Sequence, residues 1–157
     1  MKVGIIGGGR VGSRLAASLR EAGVLVGITA ASEQHSAQLA QQFGVPATDN
    51  AKLWQAADVL LLTVPDRLIG TVAEELAQSV TPAAKVVLHV SGSVGLEPLA
   101  PLAQLGAHVA ACIRCKALPA AIQSLQVCIW RWTVTAKRRT QAKSSLSFWR
   151  QSVQCSC

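Results

Sequence analysis

The stretch Lys2-Val3-Gly4-Ile5-Ile6-Gly7-Gly8-Gly9-Arg10-Val11-Gly12 decides how this chain is read. Lys2–Ile6 is a short β-prone run. Glycines at 7, 9 and 12 follow it at once in a G-x-G-x-x-G spacing. Beyond them, Val11, Leu15, Leu19 and Ala22 fall on one helical face, with Arg14 and Glu21 elsewhere. The glycine spacing alone is a weak signal. It becomes specific between a strand and an amphipathic helix at the start of a βαβ pattern.

Each glycine has its own physical reason. Gly7 allows the tight turn, Gly9 lets a pyrophosphate approach the backbone, and Gly12 lets the helix pack close to the strand. The free N–H groups around Arg10 and Val11, at the positive end of the helix, would receive the phosphates. The alternative is a glycine-rich turn without a ligand. The context favours dinucleotide binding.

Working outward, strand-like and helix-like runs alternate. Gly23 ends the first helix, and Val24–Thr29 is a second apolar run. Ser36–Phe43 reads as a helix closed by Gly44. A short strand near Val45–Ala47 and a short helix over Asn50–Ala56 follow. Asp58 leads into Val59–Val64, an apolar run of buried-strand type. Ile69, Val72, Ala73, Leu76 and Val80 form a helical stripe. Val86–Val90 is the next strand, Pro98–Leu105 a helix stopped by Gly106, and His108–Ala111 a last strand. Repeated strand–helix units imply a parallel sheet covered on both faces. The expected fold is α/β, a doubly wound parallel sheet of about six strands over residues 1–111.

Ligands of such sheets sit beyond the carboxyl ends of the strands. The second strand ends in Thr29-Ala30-Ala31-Ser32, where an NAD-specific fold usually carries an acid. Glu33 comes slightly late and reads as first-turn helix. The missing acid, with Ser32 and Arg10 in reach, favours NADP(H) over NAD(H). Ser32 is the expected contact to the adenosine ribose or its phosphate. Val64 and Pro65 should flank the nicotinamide. Asp66 reads first as a helix N-cap. His89 and Ser91 are candidate substrate contacts, Ser91-Gly92 being equally a plain turn. His35 and His108 read as surface or strand residues. No general acid or base can be assigned.

Composition divides the chain near Ala111. Residues 1–111 hold seven Lys/Arg and all eight Asp/Glu; residues 112–157 hold eight Lys/Arg and no acid. All five cysteines and three of four tryptophans lie in the second part, and all twelve glycines in the first. The overall +7 is therefore a property of residues 112–157. Arg10, Arg14, Arg20 and Glu21 interrupt the opening apolar stretch before a signal-peptide core can form. No run approaches transmembrane length. A first part without cysteine fits a reducing compartment, so the expected location is cytoplasmic, with no membrane partner.

G-G-G-R-V-G at 7–12, V-P-D at 64–66, H-V-S-G at 89–92 and L-A-P-L-A-Q-L-G-A at 99–107 resemble one family. Its members join a Rossmann-like NAD(P)-binding domain to a C-terminal helical domain, and it is related to pyrroline-5-carboxylate reductase and deazaflavin-dependent NADP oxidoreductases. The resemblance covers residues 1–111. It implies hydride transfer between NAD(P)H and a small carbonyl or imine substrate, with dimer contacts from the helical domain.

The resemblance stops where the composition changes. The family continues with a segment like L-H-P-L-Q-S-F; this chain reads Cys112-Ile113-Arg114-Cys115-Lys116-Ala117-Leu118-Pro119. Synonymous codons for these eight residues, read one base earlier, encode L-H-P-L-Q-S-F-A. The same shift over 126–135 permits G-V-Y-L-A-V-D-G-D, like a later family strand. One residue of it is forced, because Trp132 followed by Thr133 must give an aspartate codon. Residues 112–157 are thus expected to be a frameshifted, irregular tail, and the chain a truncated oxidoreductase that is not catalytically competent alone.

Two rival readings treat residues 112–157 as functional. Cys112-x-x-Cys115 has zinc-ligand spacing, but Cys155-x-Cys157 is too close for the usual knuckle; no metal is expected. Lys137-Arg138-Arg139 with Trp130 and Trp132 resembles a single-strand nucleic-acid surface. A frame read at random supplies the same charge and aromatics, which weighs against nucleic acid. The alternative function is therefore a stand-alone nucleotide-binding module whose basic tail contacts nucleic acid or a protein.

Overall fold

The computed structural model describes residues 1–111, and the readings of residues 112–157 given above lie outside the described residues. Strand β1 (Val3–Ile6) leads into helix α1 (Arg10–Glu21), then β2 (Leu25–Thr29), α2 (Glu33–Phe43) and α3 (Asn50–Ala56). β3 (Val59–Leu62), α4 (Ile69–Ser79), β4 (Val86–His89), α5 (Ala100–Gln104) and β5 (His108–Ala111) follow. The strands form one parallel sheet in the order β2-β1-β3-β4-β5.

Period-two alternation sorts the strand side chains into two cores. Ile5 and Leu61 join Leu15, Leu19, Ile28, Leu39 and Phe43 under α1 and α2. Ile6, Leu60 and Leu62 join Leu53, Trp54, Ile69, Leu76 and Leu102 under α3, α4 and α5. The sheet is therefore covered on both faces, as a buried parallel sheet requires. No described helix is long and apolar enough to cross a membrane.

Among the described residues the sheet has five strands rather than about six. The short strand expected near Val45–Ala47 is absent because the end of α2 claims its backbone. Gly44 takes a left-handed conformation, and the Val45 N–H bonds back to the Ala40 carbonyl at 3.0 Å. Pro46, next in line, has no N–H for a ladder.

Two helix starts also differ from the sequence reading. Pro65, not Asp66, takes the N-cap position ahead of a turn of 3-10 helix over Asp66–Leu68, closed by Leu68 N–H to the Pro65 carbonyl at 2.8 Å. Asp66 caps nothing, and its carboxylate is left for another partner. Similarly, a 3-10 turn over Glu97–Leu99 precedes α5. His35 lies exposed on α2 and His108 opens β5, as expected.

β1 lies between β2 and β3, and the chain winds outward from it in opposite directions. The carboxyl ends of β1 and β3 therefore flank the crevice where open α/β sheets take their ligands.

Candidate functional site

The glycine turn fills one side of that crevice. Gly7 follows β1 with φ +122°, a left-handed value that favours glycine. A Cβ on Gly7 would also lie 2.6 Å from the Thr63 carbonyl carbon. Gly12 sits one helical turn on, and a Cβ there would run into the Gly7 carbonyl oxygen and stand 2.6 Å from Thr63 Oγ1. Gly9 differs from both. It is exposed, it stands at the N-cap of α1 with φ −72° and ψ −176°, and a Cβ on it would meet nothing within 4 Å. The space beside Gly9 is open, and its backbone conformation suits any residue.

The start of α1 has the electrostatics of an anion site. No side chain caps it, and no acidic residue lies in its first turn. The N–H groups of Arg10, Val11 and Gly12 have no carbonyl one turn back to receive them, because an α-helix leaves its first N–H groups unpaired. Ser13 is the first to find one, at the Gly9 carbonyl, 2.9 Å away. Arg10 and Val11 are exposed. An open glycine, unpaired N–H groups and the positive end of a twelve-residue helix fit a phosphate group.

At the neighbouring strand end, a cleft of about 510 Å³ opens between the starts of α2 and α3. Thr29, Ala30, Glu33, Asp49, Asn50 and Lys52 line it. The Thr29 hydroxyl donates to Asn50 Oδ1 at 2.6 Å, tying the end of β2 to α3. Asp49 caps α3 by accepting the Lys52 N–H at 2.7 Å, which holds its carboxyl below the ordinary value of 3.8. Ser32 caps α2 by accepting the His35 N–H at 3.2 Å. It is exposed beside this cleft, and Glu33 is the first residue of α2.

The loops after β3 and β4 form the other side of the crevice. Val64 is half-buried and Pro65 exposed. Asp66 reaches across to the β4 loop, where its carboxylate accepts the Ser93 hydroxyl at 2.6 Å. Hydrogen bonding, from Ser93 foremost and Ser91 next, holds the Asp66 carboxyl below 3.8. Ser91 Oγ in turn accepts the N–H groups of Ser93 and Val94, each at 3.2 Å.

His89 is buried against its own loop. It is 0% exposed; its Nε2 donates to the Gly95 carbonyl at 2.9 Å and its Nδ1 accepts the Ser91 N–H at 3.3 Å. Both ring nitrogens hold the 89–95 loop. Ser91, also buried, builds that loop's turn. In this structure both side chains are engaged within their own loop.

The structure brings Gly7, Gly9, Arg10, Val11, Gly12, Val64 and Pro65 to one strand edge, with Ser32 beside the adjoining cleft. Sequence reasoning missed Thr63, Asn50 and the Asp66–Ser93 pair. Thr63 carried a signal, as the one polar residue in the apolar run Val59–Val64. Asn50 and Ser93 carried none, because their partners lie 21 and 27 residues away in sequence.

Solved structures share this architecture. Arogenate dehydrogenase from Synechocystis superimposes with a TM-score of 0.54 at 29% identity, over 67% of this chain and 37% of that one. A pyrroline-5-carboxylate reductase from Coxiella burnetii gives 0.57 at 25%, over 70% and 42%. An imine reductase from Bacillus cereus gives 0.57 at 19%, over 70% and 39%, a likeness of fold alone. The chain thus spans well under half of each of these proteins. No curated protein matches it in sequence. Residues 1–113 match the family model described as Rossmann-like domain, and the chain belongs to that family.

Proposed function

We propose that this domain binds a nicotinamide dinucleotide along the carboxyl edge of its sheet, as the cofactor-binding part of an oxidoreductase-like protein. The observation that carries the reading is Gly9. Its missing side chain relieves no contact in the protein, so the space it leaves open suits a ligand. In this reading Gly9, Arg10, Val11 and Gly12 offer backbone N–H groups to the pyrophosphate, while Gly7, whose own N–H is held by the Thr29 carbonyl at 2.9 Å, makes the turn that brings them to it. Val64 and Pro65 flank the nicotinamide, and the cleft with Ser32 and Asn50 takes the adenosine ribose. The bound cofactor would supply hydride chemistry. Likeness to arogenate dehydrogenase and pyrroline-5-carboxylate reductase supports an oxidoreductase context.

The choice between cofactors turns on the cleft. Ser32 beside the cleft and Lys52 within it, whose Nζ pairs with Asp49 at 3.1 Å, suit a 2′-phosphate, whereas Glu33 and Asp49 suit a free ribose diol. We favour NADP(H), since no acid precedes Ser32 at the strand end. Titrating the full chain with NADPH and with NADH, followed by reduced-nicotinamide fluorescence, tests both points. Saturable binding with NADPH tighter is expected. Tighter NADH binding would assign the cleft to a ribose diol, and no saturable signal with either would overturn the cofactor reading.

A further inference from the structure

We infer that the Thr63 hydroxyl is the positioning group of the glycine turn, fixing the direction in which its N–H groups face the dinucleotide. The inference rests on the dinucleotide reading above. Thr63 follows β3, is 9% exposed, and interrupts an otherwise apolar run. Its Oγ1 donates to the Gly7 carbonyl at 2.7 Å; the Ile6 carbonyl lies farther, at 3.4 Å. Ile6 already receives the Thr63 N–H at 2.8 Å, so the hydroxyl is not needed to pair β1 with β3. It acts instead one residue beyond the strand, on the first peptide of the turn.

The consequence follows from peptide planarity. The carbonyl of one residue and the N–H of the next point in opposite directions across a trans peptide. Drawing the Gly7 carbonyl inward to Thr63 turns the Gly8 N–H outward. A second hydroxyl does the same one residue later, with Ser13 Oγ donating to the Gly8 carbonyl at 3.3 Å, which turns the Gly9 N–H away from Ser13. Two successive peptides are thus oriented by side-chain hydroxyls, the first shorter and buried. Gly7 has no Cβ to resist rotation, so glycine permits the turn without fixing it. The Thr63 bond supplies the missing constraint. It also joins the pyrophosphate side of the crevice to the nicotinamide side, because Thr63 continues directly into Val64-Pro65.

The test compares Thr63→Val, Thr63→Ser and Thr63→Ala in the full chain. Valine keeps the β-branched shape and removes the donor, while serine keeps the donor and removes the methyl. NADPH and NADH are titrated below each variant's melting temperature, with circular dichroism confirming the fold. The expected result is a Kd raised about tenfold or more in Thr63→Val and Thr63→Ala for both cofactors, from loss of a buried hydrogen bond and the freed turn. Thr63→Ser should stay within about threefold of the unmodified chain. If Thr63→Val does not fold, the alanine–serine pair decides. A folded Thr63→Val that binds as the unmodified chain does, or a serine variant as weak as alanine, overturns the inference and leaves the cofactor reading intact. An unmodified chain that binds neither cofactor overturns both.

Discussion

Replacing Gly9 with alanine separates a glycine kept for a ligand from one kept for the fold. The added methyl meets no protein atom within 4 Å, and φ −72°, ψ −176° is an ordinary extended conformation for alanine. Two terms affect stability. Alanine is a poorer N-cap than glycine by roughly 0.5–1 kcal/mol. Against that, it removes unfolded-state freedom worth about 0.4–1 kcal/mol. They oppose, leaving a net change within about 1 kcal/mol and a melting temperature within a few degrees of the original. Binding is affected differently. The methyl occupies the space through which a phosphate reaches the first N–H groups of α1. Losing one charge-assisted hydrogen bond of about 2 kcal/mol raises Kd roughly thirtyfold. Differential scanning fluorimetry of the free protein, paired with NADPH titration, reads the two effects separately. If Gly9→Ala binds NADPH as tightly as the unmodified chain, the pyrophosphate does not pass Gly9. If it unfolds the protein, the glycine is structural.

Gly12→Ala should behave in the opposite way: its Cβ runs into the Gly7 carbonyl, so strain of about 1–3 kcal/mol should lower the melting temperature by about 10 °C before any ligand is added. Ser93→Ala should alter the acid limb of stability. Because Ser93 holds the Asp66 carboxyl below 3.8, the bond stabilises the fold above that pH and is lost as pH falls through the folded value. Melting temperatures of the variant and the unmodified chain should therefore differ at pH 7 and converge at the lowest pH that preserves the fold; a gap that stays constant with pH would refute the ionic role. For residues 112–157, we propose a shifted reading frame. The gene's nucleotide sequence should open, from codon 111 or 112 in the alternative frame, into a segment beginning like L-H-P-L-Q-S-F, and a stop codon there would dismiss the idea.

Much of the fold was legible because its signals are local. The glycine spacing, Leu15 and Leu19 of the first helical stripe and the apolar run before Val64 each report on neighbours within a turn or a strand. Val11 and Ala22 of that stripe lie exposed at the two ends of α1, and Gly12 and Ala16 are buried instead. The segment Val45–Ala47 misled because its apolar residues suit a strand while its backbone was already committed to the α2 cap. Asp66 misled for a related reason. Proline moved the helix start by one residue, and the carboxylate found Ser93 across the crevice. The backbone part of the candidate site was readable, since a dinucleotide turn depends on glycines at fixed offsets. Its side-chain part was not. Thr63 to Gly7 joins the turns after β3 and β1, and Thr29 to Asn50 joins the end of β2 to the start of α3, contacts that only the assembled sheet brings into register.

The central claim is that the turn from Gly7 to Gly12 receives a dinucleotide. Nitrogen-15 NMR of the full chain titrated with NADPH tests it most directly. The account predicts that the backbone amides of Gly8, Gly9, Arg10, Val11 and Gly12 shift most, saturably and together. Saturable shifts centred elsewhere, or none at millimolar NADPH, would contradict it.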